Sequence, residues 1–364
     1  MKNSTRYKQL CQEGAPFYLE PLSDKGRTGR EKPWREYKLQ NERLAAVYAL
    51  VDPAKEVRLL ECCKELVFLV DPKTEKKRLK SAYSCRVRLC PLCSWRRSLK
   101  NYHSTMKCVK YIQSHEEKLG KVEYIFVTLT VRNCKGDSLS KTLDDLFAAV
   151  KRLYQREEVR RAWLGAVRNL EVTHNVNPES DSFDTFHPHF HMIVAVRPSY
   201  FKKSDYISHS KLVALWRDCL RADYDPQVDI RRVKPRKQAE QANTLHEWAA
   251  KSGLYDAGVA PEQCADMAAA VAECSKYAAK ASDYLISDNW DLTVDTVRVL
   301  DRALAGRRLV NYGGLFRDVK QFLKLDDCED GDLVHVGDEE DALEDDAQEV
   351  TYFWYSGYRQ YYKL

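Results

Sequence analysis

A run of alternating histidines, HPHFHMIV at residues 187–194, constrains the fold of this chain more than any other segment. The alternation is typical of a β-strand, in which successive side chains point to opposite faces of a sheet. Phe190 and its alternate apolar neighbours would face the core, and His189 and His191 would share the other face. Three of the nine histidines of the chain lie in the first five residues of this run. Because two imidazoles on one face of a strand can bind one ion, we predict a metal site there.

A second strand supplies a third ligand. The segment LGAVRNLEVT at residues 164–173 alternates so that Leu170 and Val172 face the core and Glu171 faces the other way. If this strand pairs with the histidine strand, Glu171 can reach the same ion, and His187, which has the same parity, is an auxiliary ligand. Two imidazoles and one carboxylate leave positions open for water or a phosphate oxygen, which is typical of a catalytic metal. This ligand set favours Mg²⁺ or Mn²⁺.

A tyrosine in an alanine-rich segment is the candidate nucleophile. Pro261 and the many alanines up to Lys280 predict a helix. Glu273, Tyr277 and Lys280 would then lie on one face of that helix. A phenolate can attack phosphorus to form a covalent intermediate, and a nearby cation such as Lys280 would favour the phenolate. Tyr284 shares the same face and is a rival nucleophile.

A cluster of cysteines predicts a structural zinc site. It contains a C-x-x-C pair and a third thiol five residues earlier, so that one further ligand completes a tetrahedral site. The preferred fourth ligand leads into an apolar strand at residues 66–70, and Cys63 and His103 are the alternatives to it. The four predicted ligands are Cys62, Cys85, Cys90 and Cys93.

Basic side chains near the cysteines, together with one aromatic side chain, are candidates for binding phosphates and stacking on bases. A second basic run follows a strand predicted at residues 228–233. The candidate DNA-binding residues are Arg86, Arg88, Trp95, Arg96, Arg97, Lys234, Arg236 and Lys237.

The charge of the chain is unevenly distributed. The net charge is +5, but residues 326–350 contain 13 acidic residues and neither lysine nor arginine. Removing those 13 from the 54 acidic residues leaves 41 against 59 basic ones, a net charge of +18. A body this basic suits a phosphate-rich partner. Twelve scattered cysteines, no apolar run of membrane-spanning length and no apolar signal-peptide core predict a cytoplasmic protein without membrane contact.

Three segments in this order resemble the motifs of the HUH endonucleases: YIFVTLTV at 124–131, HPHFH at 187–191 and KYAAK at 276–280. Among these enzymes, the chain resembles the replication initiators of rolling-circle plasmids. The resemblance extends to the cysteine segment and to RRLVNYGGLF at 307–316, and so covers about residues 55–325.

The resemblance implies roles for individual residues. His189 and His191 would bind a divalent metal, and Tyr277 would attack DNA. Glu273 matches the position, four residues before the tyrosine, whose glutamate in one branch activates water for the closing cleavage. Relatives with two catalytic tyrosines space them differently from Tyr277 and Tyr284, so the chain resembles the single-tyrosine type.

The predicted fold is α+β, with a central antiparallel sheet of the HUH type, helices on one face, the metal site on the other, and a small zinc-binding element. We expect five segments along the chain. These are an N-terminal extension (1–55), a zinc-binding and DNA-contact element (56–110), the endonuclease domain (120–325), a disordered acidic linker (326–350) and an aromatic C-terminal tail (351–364).

The function that follows is site- and strand-specific nicking of a plasmid origin, which gives a 5′-phosphotyrosine and a 3′-OH primer, with strand transfer or hydrolysis at termination. The expected partners are origin DNA in single-stranded and hairpin form, a host helicase and DNA polymerase, and other copies of the chain. The alternatives are a relaxase or single-strand transposase of the same superfamily, or a non-catalytic, zinc-containing DNA-binding regulator.

Overall fold

The structure is a computed structural model that describes residues 20–26, 29–202, 205–233, 265–337 and 346–364. The described helices are α1 (Trp34–Val51), α2 (Pro53–Glu61), α3 (Pro91–Ser114), α4 (Glu116–Leu119), α5 (Leu139–Gln155), α6 (Glu157–Ala162), α7 (His209–Leu220), α8 (Ala265–Glu273), α9 (Ala281–Tyr284), α10 (Trp290–Leu304) and α11 (Leu315–Phe322). The strands are β1 (Glu65–Val70), β2 (Lys77–Ala82), β3 (Glu123–Thr130), β4 (Trp163–Asn175), β5 (Thr185–Val196), β6 (Val228–Arg232), β7 (Val310–Gly314), β8 (Gln348–Tyr355) and β9 (Gln360–Lys363). Short 3₁₀ helices are at Gly136–Ser138 and Pro198–Lys202.

A five-stranded antiparallel sheet forms the centre of the molecule, in the order β6-β3-β5-β4-β7. The predicted strands are present, and the glutamate strand β4 pairs with the histidine strand β5. In their register Glu171 lies opposite His189, and Asn169 lies opposite His191. Because paired residues share a face, all four side chains lie on one side of the sheet. The α+β class and the antiparallel sheet are as predicted.

Helices cover both faces of this sheet. On the face opposite the histidines, the apolar stripe of α5 packs on β5, with the rings of Phe147 and Phe190 5.3 Å apart. On the histidine face, α3 contacts β7, where the hydroxyl groups of Thr105 and Tyr312 are 2.7 Å apart. The predicted helix layer is therefore present, and α3 adds a second layer that the sequence did not predict. No helix of the described residues is long and apolar enough to cross a membrane.

A second antiparallel sheet has the order β2-β1-β8-β9 and joins distant parts of the chain. Its last two strands come from the aromatic C-terminal segment, which pairs with β1 so that Tyr352 lies opposite Leu66. Tyr352, Trp354 and Tyr361 are buried. The aromatic residues of the expected tail are thus part of the core.

The acidic segment differs from the disordered linker that the sequence predicts. Its residues 326–337 pack on the body, and 346–350 lead into β8. Glu329 is only 8% exposed. Its carboxylate forms an ion pair with Arg88 at 2.5 Å and accepts hydrogen bonds from the N–H groups of Leu309 and its neighbour at 2.6 and 2.8 Å. The acidic composition did not predict this packing, because the partners of these carboxylates are distant in sequence. Residues 338–345 lie outside the described part.

Candidate metal centre and tyrosine segment

Three side chains converge on the histidine face of the central sheet. The Nε2 atoms of His189 and His191 are 3.1 Å apart, and they lie 3.4 and 3.0 Å from Oε2 of Glu171. The three ligand atoms all lie within 4.8 Å of one another, and all three residues are buried. The sequence predicted this group from strand alternation, on the condition that the two strands pair, and β4 and β5 do pair. Its donor set and spacing fit one divalent cation.

The other ring nitrogens orient the two imidazoles. Nδ1 of His189 is 3.1 Å from the carbonyl oxygen of His187, and Nδ1 of His191 is 3.2 Å from Oγ1 of Thr128 on β3. A hydrogen bond at Nδ1 directs Nε2 towards the metal position. Burial lowers the pKa of His187. The ring of His187 lies beside that of His189, with centroids 5.2 Å apart. His187 is not one of the three clustered ligands, so it does not fill the auxiliary position expected for it.

Charge at this centre is balanced by a lysine. Nζ of Lys280 lies 3.2 Å from Oε1 of Glu171. Burial opposes ionisation of Glu171, but its hydrogen bonds to the two histidines and the Lys280 charge lower its pKa well below the ordinary value. Burial likewise opposes the charge on Lys280, and the Glu171 carboxylate nevertheless raises the pKa of that amine. The Glu171 carboxylate is therefore ionised and available to a cation.

The predicted helix that carries the tyrosine ends earlier than expected. Helix α8 ends at Glu273, and Tyr277 lies in the turns and bends that follow. The side-chain amide of Asn169 donates to the carbonyl of Lys276 at 2.8 Å, and the N–H of Val172 donates to the carbonyl of Ala278 at 2.7 Å. These hydrogen bonds fix the segment along β4 and replace the helical ones. The prediction of Glu273, Tyr277 and Lys280 on one helical face is therefore wrong, and the predicted start at Pro261 lies outside the described residues.

Glu273 and Tyr277 consequently point to different surroundings. Oε1 of Glu273 lies 3.6 Å from Nε2 of His191, and the same carboxylate forms an ion pair with Lys276. The hydroxyl of Tyr277 is instead 2.8 Å from the hydroxyl of Tyr37 on α1. The metal centre thus has Glu273 and Lys280 beside it, whereas the tyrosine hydroxyl is bound to the N-terminal helix.

Burial distinguishes the two candidate nucleophiles. Tyr277 is half-buried, and burial together with the neighbouring Tyr37 raises its pKa well above the ordinary value. Tyr284 is 1% exposed, and its hydroxyl donates to the carbonyl of Leu89 at 2.6 Å. Tyr284 is thus a core residue. Sequence reasoning did not find Tyr37, which is one of 21 tyrosines and lies 240 residues from its partner.

Four thiols form the second candidate metal site. Sγ of Cys62 lies 3.6 Å from that of Cys93 and 3.7 Å from that of Cys90, and Cys85 lies 3.7 Å from Cys93. A tetrahedral zinc site with Zn–S bonds of about 2.3 Å has edges of about 3.8 Å, so the four thiols fit zinc. Cys62 is thus the fourth member, and the alternatives Cys63 and His103 are not in the cluster.

The N-terminal helix closes this cysteine site. The side-chain amide of Asn41 lies 3.3 Å from Sγ of Cys90, and the ammonium of Lys38 donates to the carbonyls of Leu60 and Cys62 at 2.9 and 2.6 Å. Lys38 is 1% exposed. Helix α1 therefore contacts both the cysteine site and Tyr277, which sequence reasoning about residues 1–55 missed.

The candidate DNA-binding residues are used in several ways. Arg86 donates to two carbonyls of the acidic segment, and Arg88 forms an ion pair with Glu329 of that segment. Arg96 is 3% exposed and donates to two further carbonyls of the acidic segment. Trp95 is completely buried, with its ring 4.8 Å from that of Trp34, so in this structure it offers no face for a base. Arg97 is half-buried. Three predicted residues lie outside the described part: Lys234, Arg236 and Lys237.

Comparison with known proteins agrees with these features. The family model described as "Replication protein" matches residues 76–362. "Protein rep" of Bacillus amyloliquefaciens is 36% identical over 350 residues, which cover 93% of this chain and 96% of that protein. "Protein rep" of a Bacillus species is 37% identical, with coverage of 78% and 85%. "Protein rep" of Streptococcus pneumoniae is 30% identical, with coverage of 88% and 89%. No solved structure gives a significant match.

The family match covers both candidate metal sites apart from Cys62, and it includes the tyrosine segment. Two relatives above 35% identity align with most of the chain and with most of their own length. The resemblance to plasmid replication initiators stated from the motifs is confirmed by these matches. The chain therefore belongs to the replication-protein family of plasmid replication initiators.

Proposed function

We propose that this initiator nicks one strand of the double-strand origin of a rolling-circle plasmid and becomes covalently attached to the 5′ end. The observation that carries the proposal is the convergence of Glu171, His189 and His191. Lys280 contacts this group through Glu171 and belongs to the same segment as Tyr277. A regulator that only binds DNA has no need of this arrangement. Membership of the replication-protein family favours an initiator over a relaxase or a transposase.

In the proposed reaction, the Tyr277 oxygen attacks the scissile phosphorus as the phenol loses its proton. The P–O bond to the 3′ oxygen breaks, that oxygen takes up a proton, and the products are a 5′-phosphotyrosine and a free 3′-OH. Lys280 stabilises negative charge on the phosphate. Glu171, His189 and His191 would hold Mg²⁺ or Mn²⁺, which polarises the phosphate when bound.

The hydroxyl of Tyr277 must leave Tyr37 before it can attack. The backbone between Glu273 and Lys280 contains turns and bends rather than a helix, so a change in this segment does not require a helix to unfold. Release of Tyr277 from Tyr37 is thus the first step that the protein itself contributes to the reaction.

Glu273 is the proposed base for termination. The carboxylate accepts a proton from water as the water oxygen attacks the phosphorus at the second copy of the nick site. The P–O bond to the 3′ oxygen breaks and that oxygen takes up a proton, so the strand ends are a 3′-OH and a 5′-phosphate and no second phosphotyrosine forms. Its position 3.6 Å from His191 Nε2 puts it next to the ligands that would hold the divalent ion. Hydrolysis by Glu273 therefore fits a single-tyrosine enzyme.

The remaining proposals concern cofactors and partners. A structural zinc ion would be bound by Cys62, Cys85, Cys90 and Cys93, because all four are buried and no ligand position is left for a substrate.

The DNA partner is the plasmid origin in single-stranded and hairpin form. The 3′-OH would be extended by a host DNA polymerase with a host helicase, and several copies of the chain could act together at the origin.

A nicking assay on supercoiled DNA tests the proposal. The protein is incubated with a plasmid that carries its own origin, and with the same plasmid lacking the origin, in the presence of Mg²⁺ or Mn²⁺. We expect open-circular product only from the first plasmid, and none after chelation or with His189→Ala. Equal cleavage of both plasmids, or origin cleavage that is unchanged by His189→Ala, would refute the proposal.

A further inference from the structure

We propose that the cleft beside Tyr277 binds a DNA phosphodiester next to the scissile one, and that Arg97 is its anchor. The cleft is lined by α3, the tyrosine segment, the start of β7 and the acidic segment. The inference rests on the proposed function, because it states how the same site holds its substrate.

The cleft adjoins the metal centre. Asn169 lines the cleft, and Glu171 of the metal centre lies two residues further along β4, on the same face of the sheet. Two residues along a strand span about 7 Å. This distance is comparable with the spacing of neighbouring phosphates in an extended DNA strand. A strand with its scissile phosphate at the metal centre can therefore place the next phosphate in the cleft.

The charge of the lining favours an anion. Arg88, Arg97 and Lys276 contribute three cations, and Glu329 is the one carboxylate among the lining residues that the structure describes. Two backbone N–H groups and Arg88 of this wall already bind the carboxylate of Glu329. Arg88 is thus paired with Glu329, and Lys276 is paired with Glu273. Arg97 remains as the cation for an external anion.

The guanidinium of Arg97 has donors to offer. Its Nη2 donates to the carbonyl of Arg86 at 3.2 Å, and its Nε is buried with no hydrogen-bond partner among the described residues. A buried donor without an acceptor is unfavourable, and a phosphate binds a guanidinium through two parallel hydrogen bonds. A DNA phosphate in the cleft would satisfy Arg97 in this way.

A scan with neutral phosphate analogues tests the proposal. The protein carries Tyr277→Phe to prevent cleavage, and its affinity is measured for single-stranded origin oligonucleotides in which one linkage at a time is an uncharged methylphosphonate. We expect one linkage next to the nick position to weaken binding by about tenfold with native Arg97. Arg97→Gln should lower the affinity for the unmodified strand by a similar factor, and should abolish the effect of that linkage. The slope of log affinity against log salt should fall by about 0.7.

The controls separate this role from a structural one. Arg97 is one helical turn from Cys93, so zinc content and thermal unfolding are measured for each variant. Arg97→Lys, which keeps the charge, should retain part of the sensitivity to the neutral linkage. Arg298→Gln removes an arginine of α10 that pairs with Asp295 outside the cleft, and it should leave the scan unchanged.

Two results would overturn the inference. One is an Arg97→Gln protein, with zinc bound, that stays as sensitive to every neutral linkage as the Arg97 protein. The other is a scan in which no linkage near the nick weakens binding. Adduct formation by the wild-type chain on the same oligonucleotide is recorded separately. An adduct with an unchanged scan rejects the subsite alone, and the absence of an adduct rejects the proposed function while the scan still reports on the cleft.

Discussion

At the residue scale, the hydroxyl of the candidate nucleophile Tyr277 is hydrogen-bonded to the hydroxyl of Tyr37. Burial raises the pKa of Tyr277, and the Tyr37 hydroxyl raises it further. Below the pKa of a phenol, each pH unit multiplies the phenolate fraction by about ten. Adduct formation should therefore accelerate as the pH rises from about 7 to 9.

Removal of the Tyr37 hydroxyl should accelerate the reaction. Tyr37→Phe frees Tyr277 from its partner and removes one cause of the raised pKa. We expect adduct formation about fivefold faster than wild type at each pH, the equivalent of one hydrogen bond, with the same pH slope. Single-turnover rates on a labelled origin oligonucleotide measure this, with Tyr48→Phe on the same helix as the control. A slower Tyr37→Phe protein would mean that Tyr37 holds Tyr277 in its productive position.

Glu273 is the second residue with a specific expectation. Glu273→Gln keeps the shape of the side chain but cannot accept a proton from water. Initial nicking should stay within about twofold of wild type, and hydrolytic release of the strand end should fall by about 100-fold, the usual contribution of a general base. Measurements of unit-length single strands and multimers in cells with the plasmid check this. Normal release by the variant would point to Tyr277 of a second copy as the closing nucleophile.

The three candidate metal ligands could be predicted from the sequence, and the contact between Tyr277 and Tyr37 could not. Strand alternation placed His189, His191 and Glu171 on the same side, and antiparallel pairing was enough to bring them together. The contact of Tyr37 with Tyr277 depends on how a helix docks onto a segment 240 residues away. No local pattern in the sequence encodes that docking.

At the element scale, the helix propensity of the tyrosine segment did not predict where the helix ends. Alanine density favours a helix wherever the backbone has no better partner. After Glu273, two carbonyls of the segment accept hydrogen bonds from Asn169 and Val172 of β4 instead. Those donors are distant in sequence, so propensity predicted a helix up to Lys280. Helix α8 was predicted from its alanine density and strand β4 from the alternation of its side chains, because both signals are local in the sequence.

The cysteine site joins four elements and should contribute strongly to stability. Its thiols come from the end of α2, the segment after β2 and the start of α3, and helix α1 donates to one of them. Cys93→Ser should abolish zinc binding and lower the free energy of unfolding by at least about 4 kcal/mol. Elemental analysis and denaturant unfolding measure both effects. Cys219→Ser, at a buried cysteine of α7 outside the cluster, should retain zinc. Full zinc content in Cys93→Ser would exclude the four-thiol site.

At the scale of the whole molecule, the C-terminal region is part of the folded body. Composition predicted an acidic linker and an aromatic tail, because a run of carboxylates in isolation favours solvent. In the structure, Lys100 pairs with Asp326, Arg308 pairs with Asp327, and β8 adds to the sheet of β1. The basic excess of the body supplies these partners, and only the folded chain brings them together.

Truncation tests whether the C-terminal region is part of the folded body or a separate linker and tail. A chain that ends at Leu325 loses the ion pairs of Arg88 and Lys100 and the strands β8 and β9. We expect loss of cooperative thermal unfolding and of origin nicking, whereas a separate tail could be removed without either effect. Circular dichroism melting of the truncated and full-length chains, purified in parallel, measures this. An equal melting temperature would restore the interpretation of this region as a linker and tail.

Covalent attack by Tyr277 can be tested by mapping the protein–DNA adduct. Wild-type protein and Tyr277→Phe are incubated with a 3′-labelled single-stranded origin oligonucleotide and Mn²⁺, and the products are separated on a denaturing gel. We expect a labelled adduct for wild type, with the phosphotyrosine identified at Tyr277 by mass spectrometry, and no adduct for Tyr277→Phe. An adduct of full yield in Tyr277→Phe, or a modification found at Tyr284 or Tyr37, would contradict this expectation.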